Sequence, residues 1–152
     1  MSLIPELGKG MSNLPAIIER YEADLQHAEA TLSLEGKRLE AANKEQPAWQ
    51  SYYDQRRIEL YTLVKFIDAE VNRIRGTLFR SYTENYSREL TDRAKDKYID
   101  HEQAYLDILE LYLEVKELYD KYDSLVDAFR TRGFALNNIT KIRVAAMEDV
   151  IL

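Results

Sequence analysis

Cysteine is absent from this chain of 152 residues, and proline and glycine are scarce, at three and five. Without cysteine there is no disulfide framework, no zinc–thiolate site and no thiol nucleophile, a usage that suits a reducing cytoplasm. The prolines, Pro5, Pro15 and Pro47, all fall in the first third, so the remainder is free to form long uninterrupted elements. No stretch approaches the ~18 consecutive apolar residues of a membrane span, and Met1–Gly10 lack the basic-then-apolar pattern of a leader peptide. Phosphate-binding glycine loops, dinucleotide turns and nucleophile elbows are also missing. Histidine occurs only at His27 and His101. A helical di-metal site needs paired Glu-x-x-His motifs, but Asp24-x-x-His27 is a single loose match and Tyr98 stands where His101 would need a carboxylate. The expectation is a protein that is not an enzyme and uses neither metal nor cofactor.

What the chain has in quantity is charge and tyrosine. The net charge of −6 conceals three segments of alternating sign. Residues 71–98 hold seven basic against four acidic side chains, residues 99–129 hold nine acidic against two basic, and residues 130–143 hold Arg130, Arg132, Lys141 and Arg143 with no acid. An acidic stretch between basic ones can fix register between subunits as flanking charges do in coiled coils.

Apolar periodicity predicts an all-α fold: long amphipathic helices in an elongated hairpin or coiled-coil-like bundle, with a short C-terminal helix, assembled as an oligomer. A flexible stretch over 1–13 precedes a single helical domain over 14–152. Its first helix, 14–42, starts at a Ser12 or Asn13 cap with Pro15 in the first turn. Ile18, Tyr21, Leu25, Ala28, Leu32, Leu39 and Ala42 form its seam, broken at Glu35 next to Gly36. Pro47 is expected to open a second helix, 47–82, with Leu60, Val64, Ile67, Val71, Ile74 and Leu78 in register. Residues 81–92 are polar and lack periodicity, and Thr91 is placed to cap a third helix, 92–132. That helix repeats Tyr105, Ile108, Tyr112, Val115, Tyr119, Tyr122, Val126 and Phe129, flanked by Leu106, Leu109, Leu113, Leu118 and Leu125. Gly133 is the expected C-terminal stop before a last helix, 134–150. Helices this long need partners beyond the chain's own surface. The candidate contacts between copies are Tyr112, Tyr119, Phe129, Gly133, Phe134, Ile139 and Ile142.

Most of the eleven tyrosines fall in apolar seams, where packing is the expected role. Tyr82 and Tyr86 instead alternate with Arg73, Arg75, Arg80 and Arg88 outside a clear stripe, the composition of a surface that grips phosphates and stacks bases of single-stranded DNA. The alternative for these helices is a structural, scaffolding role in which the charges only set register.

The segment from Leu125 to Arg143, LVDAFRTRGFALNNITKIR, resembles the C-terminal signature of the UvsY family of phage recombination mediators: an apolar helix, then a basic-residue, Gly, Phe, Ala run, then Ile and Arg. Trp49 leading a basic amphipathic helix into an Arg-aromatic stretch is similar, more loosely, to the family's central region. The resemblance implies an all-helical closed ring of identical subunits joined largely through C-terminal helices. It implies binding of single-stranded DNA in the host-cell cytoplasm, and help in loading a recombinase while a single-strand binding protein is displaced. It implies no active site and no cofactor, and Arg73, Arg75 and Arg80 are the counterparts of the family's basic DNA-contacting motif.

Overall fold

The computed structural model describes the backbone of residues 11–151 and the side chains of residues 11–146. Residues 1–10 of the expected flexible N-terminus lie outside the described residues. Met11–Asn13 form a turn of 3-10 helix, followed by α1 (Leu14–Leu32), α2 (Leu39–Glu84), α3 (Asp92–Ile99) and α4 (Gln103–Ile151), with no strand among the described residues. None of the helices is long and apolar enough to cross a membrane. The all-α expectation holds, but four of the expected boundaries move.

The first break lies at 33–38 rather than 43–46. Gly36 takes a φ of +71°, a left-handed conformation that L side chains adopt only with strain, and the chain reverses there. Pro47 therefore stands inside α2 instead of starting it. Its missing N–H and its ring disfavour an interior position, yet the preceding turn is anchored: Ala42 and Gln46 are buried, and the Gln46 side chain donates to the Phe129 carbonyl at 2.6 Å. Tertiary contacts fix the backbone on both sides of the proline, so the helix continues through it.

A second break, at 100–102, divides the expected third helix into α3 and α4. Ile99, fully buried, pins the end of α3, and the Glu102 carbonyl accepts from Leu106 N–H to start α4. Gly133, conversely, does not stop a helix. It lies within α4, and a Cβ there would stand 3.0 Å from Gln46 Nε2, so the glycine lies against the Gln46 side chain rather than forming a cap. The expected separate last helix is the continuation of α4. Of the expected caps, Thr91 accepts from Ala94 N–H at 3.2 Å, whereas Asn13 stands at the N-cap of α1 without a side-chain capping bond.

The contacts fall into two compact units. One joins the described residues up to Glu59 with those from Asp120 onward. Its core is aromatic: Tyr53 stacks on Phe129 with ring centroids 4.8 Å apart, and Tyr21 meets Tyr122 edge-on at 5.8 Å. The Tyr122 hydroxyl donates to the Tyr21 carbonyl at 2.7 Å and lies 3.3 Å from Asp24 Oδ2. Tyr21 in turn donates to Glu59, and Tyr52 to Asp24 at 2.9 Å, while Arg56 lies between those two carboxylates. Burial first, then the neighbouring carboxylates, pushes the Tyr21 phenol upward, and burial followed by Asp24 does the same for Tyr122.

A polar cluster in the same unit centres on Arg132, which is 5% exposed. Its Nε donates to the Leu32 carbonyl at 3.0 Å, and Nη1 donates to Gln46 Oε1 at 2.6 Å. Arg132 thereby satisfies a carbonyl left free by the end of α1 and ties it to α2 and α4.

The second unit, Leu60–Tyr119, packs Leu60, Leu63 and Ile67 of α2 together with Ile99 of α3 and Val115 of α4, all fully buried. Gly76 lies in α2 with open space where a Cβ would stand. Gly76→Ala is therefore expected to raise stability by roughly 0.5–1 kcal/mol through helix propensity alone; a melting temperature at or below that of the wild type would contradict this.

Candidate nucleic-acid interface

The arginines singled out by sequence all project from α2 or the segment that follows it, and their surroundings differ. Arg73 pairs with Glu70 at 2.9 Å and Arg80 with Glu84 at 4.0 Å, both one turn away on the exposed helix surface. Such pairs contribute little and exchange readily for another anion. Arg75 is held more firmly. It bridges Asp96 and Asp100 at 3.1 Å each, and its guanidinium lies 5.2 Å from the Tyr105 ring centroid. Arg75 is a strut between α2 and the end of α3. Arg88 has no ion-pair partner among the described residues and projects from the segment between α2 and α3.

Tyr82 and Tyr86 are brought together, with ring centroids 5.8 Å apart. A third ring joins them: Tyr98 of α3 stacks on Tyr82 at 5.6 Å and 22°, and on Tyr86 at 6.1 Å and 27°. Tyr86 and Tyr98 are both nearly half exposed. Tyr98 is the residue that sequence reasoning missed. It lies twelve positions beyond Tyr86, and only the reversal through 85–91 places it on the same surface. The signal available was Thr91, whose cap fixes where α3 starts and hence which of its side chains faces back toward α2.

Tyr82 donates to Glu102 Oε1, and that hydrogen bond, more than burial, pushes the Tyr82 phenol up from 10.0 to about 12. A folded-state value above the unfolded one means that the bond's contribution is complete below pH 10 and is lost as pH rises through about 12. The ultraviolet titration difference between wild type and Tyr82→Phe is accordingly expected to have its midpoint near pH 12. A midpoint at the ordinary tyrosine value would refute the Glu102 contact.

Beside the rings lies a cleft of about 570 Å³ lined by Tyr82, Tyr86, Arg88, Thr91 and Lys95, with Glu89 and Asp92 opposing the two cations. Lys95 is largely buried, with Nζ 3.3 Å from Asp92 and 4.8 Å from the Phe79 ring centroid. Chemically, the surface offers aromatic faces, one uncommitted guanidinium and two loosely paired ones. No family model, curated protein or solved structure matches this chain.

Among the described residues no group of three or more His, Cys, Asp or Glu is gathered to hold a metal. His101 donates from Nδ1 to the Lys97 carbonyl at 2.8 Å, and His27 borders a cleft with Arg20, Asp24 and Arg56.

The candidate contacts between copies separate into two sets. Phe129 has no exposed surface, and Gly133 faces Gln46, so both serve the chain's own core rather than a partner. The seam spacing that suggested Phe129 is the same whether the seam closes within a chain or between chains. Tyr112 and Tyr119 are half-buried, and the Tyr119 ring lies 5.9 Å from Tyr61. Phe134, Ile139 and Ile142 are exposed.

Proposed function

We propose that this chain is a non-enzymatic helical protein that binds single-stranded DNA as a homo-oligomer and mediates recombination, assisting the loading of a recombinase where a single-strand binding protein is displaced. The observation that carries the reading is the exposed cluster of Tyr82, Tyr86 and Tyr98 beside Arg88. Bases stack on Tyr86 and Tyr98, Arg88 holds a phosphate, and Arg80 and Arg73 exchange their exposed carboxylates for neighbouring phosphates. Arg75 acts by holding α3, and hence Tyr98, in place. One subunit offers few cations, so a continuous track requires several copies. The resemblance of residues 125–143 to a mediator signature supports the same reading, and the setting it implies is the cytoplasm of a phage-infected host.

The test is a titration of labelled oligo-dT at several salt concentrations. Binding should weaken with salt, and Arg88→Ala should reduce the log–log slope by about 0.7, the share of one phosphate contact on a single strand. Tyr86→Ala with Tyr98→Ala should weaken binding by roughly tenfold or more, since each stacked base contributes about 1–3 kcal/mol. Unchanged anisotropy at low salt would remove the reading. A scaffolding role would then stand in its place, favoured by the exposed Phe134 and Ile142, which the chain itself leaves uncovered.

A further inference from the structure

Most of the polar groups that line the cleft beside the tyrosine cluster are already satisfied within the chain. Lys95 and Asp92 are paired at 3.3 Å, with the ammonium against the Phe79 ring. The Thr83 hydroxyl donates to the Phe79 carbonyl at 2.9 Å, the Thr91 hydroxyl accepts from Ala94 N–H at 3.2 Å, and Tyr82 donates to Glu102. Three polar side chains of the lining have no hydrogen bond or ion pair among the described residues: Tyr86, Arg88 and Glu89. All three belong to the segment that reverses the chain between α2 and α3, and all three are exposed.

A cleft that only gripped phosphates would gain nothing from Glu89. Its charge repels the backbone of any strand that Arg88 attracts, whatever the base. That repulsion is offset only where the ligand itself donates hydrogen bonds to the carboxylate, which accepts through both oxygens and donates nothing. Among the four DNA bases, guanine alone presents two adjacent N–H donors on its pairing edge, at N1 and at the 2-amino group. Adenine and cytosine set an amino group beside a ring-nitrogen lone pair, which would face the second carboxylate oxygen. Thymine sets one N–H between two carbonyls. Bases in single strands are open to reading along this edge.

We propose that this cleft is a guanine site: Tyr86 stacks the base, Arg88 holds the phosphate of the same nucleotide, and Glu89 accepts from N1–H and the 2-amino group. The proposal rests on the strand-binding reading above and adds to it one position that reads a base. Stacking and the phosphate contact are common to all bases and set general affinity. The two carboxylate acceptors set the difference between bases, as bidentate contacts to base edges do elsewhere. A guanine within a strand and free guanosine monophosphate offer the same chemistry, and a cleft of about 570 Å³ is within the size range of small-ligand sites.

The test titrates wild type and Glu89→Gln with labelled oligo-dT that carries one central dG, one central deoxyinosine or no substitution. The dG strand should bind wild type roughly tenfold more tightly than unsubstituted oligo-dT, the discrimination of one bidentate contact. Deoxyinosine is a purine that stacks like guanine but lacks the 2-amino group, so it should lose most of that gain. Glu89→Gln replaces one acceptor by a donor, and its dG preference should fall to about twofold or less. Removing the charge strengthens phosphate attraction for every strand alike, so the ratio between strands is the quantity read. A dG strand that binds no tighter than the deoxyinosine or unsubstituted strand would overturn the proposal, as would a dG preference that survives in Glu89→Gln. Equilibrium dialysis against GMP and AMP separates the sources. Retention of GMP over AMP extends the site to the free nucleotide, whereas dG preference without GMP retention confines it to a strand. Failure of the site and failure of the reading it rests on are distinct results. Salt-sensitive oligo-dT binding without dG preference removes the guanine site alone; GMP retention without strand binding leaves the site and removes the mediator role; absence of both removes both.

Discussion

Phe129→Ala is expected to cost about 3–5 kcal/mol of folding stability, the usual range for emptying an aromatic site in a closed core. The ring has no exposed surface and stacks on Tyr53 at 4.8 Å and 18°, so its removal leaves a cavity and deprives Tyr53 of its partner. Five residues on, Phe134→Ala is expected to change the stability of dilute protein by less than about 0.5 kcal/mol, as surface substitutions do. It should instead weaken self-association. Urea unfolding at low protein concentration measures the first effect and sedimentation the second. If Phe129→Ala unfolded at the wild-type midpoint and only altered assembly, this account of the core would fail. The pair distinguishes two phenylalanines that a sequence reading treats alike.

Arg132→Ala is expected to cost about 2–4 kcal/mol. It strips donors from the Leu32 carbonyl and from Gln46 Oε1, and a buried acceptor left unmatched costs about 1–3 kcal/mol. Arg132→Lys should recover little, because one ammonium on a flexible stem does not reproduce the fork that spans two acceptors on different helices. Arg132→Met should fall between the two. It keeps the apolar stem and removes a cation whose Nη2 is buried without a hydrogen-bond partner among the described residues. A wild-type urea midpoint for Arg132→Ala would show that the cluster around Gln46 is not what closes α1 onto α2 and α4.

The helical class and the seams were legible because period 3.6 is a local property of the chain. Ile18, Tyr21, Leu60, Val64, Ile67, Val115, Tyr122 and Val126 are all buried as their spacing implied. Breaks were harder to read, because they depend on competition between local preference and distant contact. Pro47 carries the stronger local stop signal, but Gln46 is bonded to Phe129, 83 residues away, and the helix continues. Gly36, flanked only by Glu35 in the seam, has no such anchor and becomes the turn. At Gly133 the same residue type that ends helices elsewhere lies inside a helix, close against the Gln46 side chain from α2. In the candidate site, the composition around Tyr82 to Arg88 was visible in sequence. The commitment of Arg75 to Asp96 and Asp100, and the arrival of Tyr98, depend on a chain reversal whose geometry no short window contains.

The turn at Gly36 and the return of α4 also fix an order of events during synthesis. The Tyr122 hydroxyl meets the Tyr21 carbonyl across 101 residues, and Arg132 meets Leu32 across 100. Until those late residues leave the ribosome, α1 and the start of α2 have made most of an aromatic core that nothing covers. Translation of the intervening unit, about 60 residues at roughly 5–20 residues per second, lasts roughly 3–12 s. For that interval the nascent chain carries Leu14, Tyr21 and Tyr53 exposed, an apolar surface that chaperones or neighbouring nascent copies can reach before the chain's own residues from Asp120 onward do.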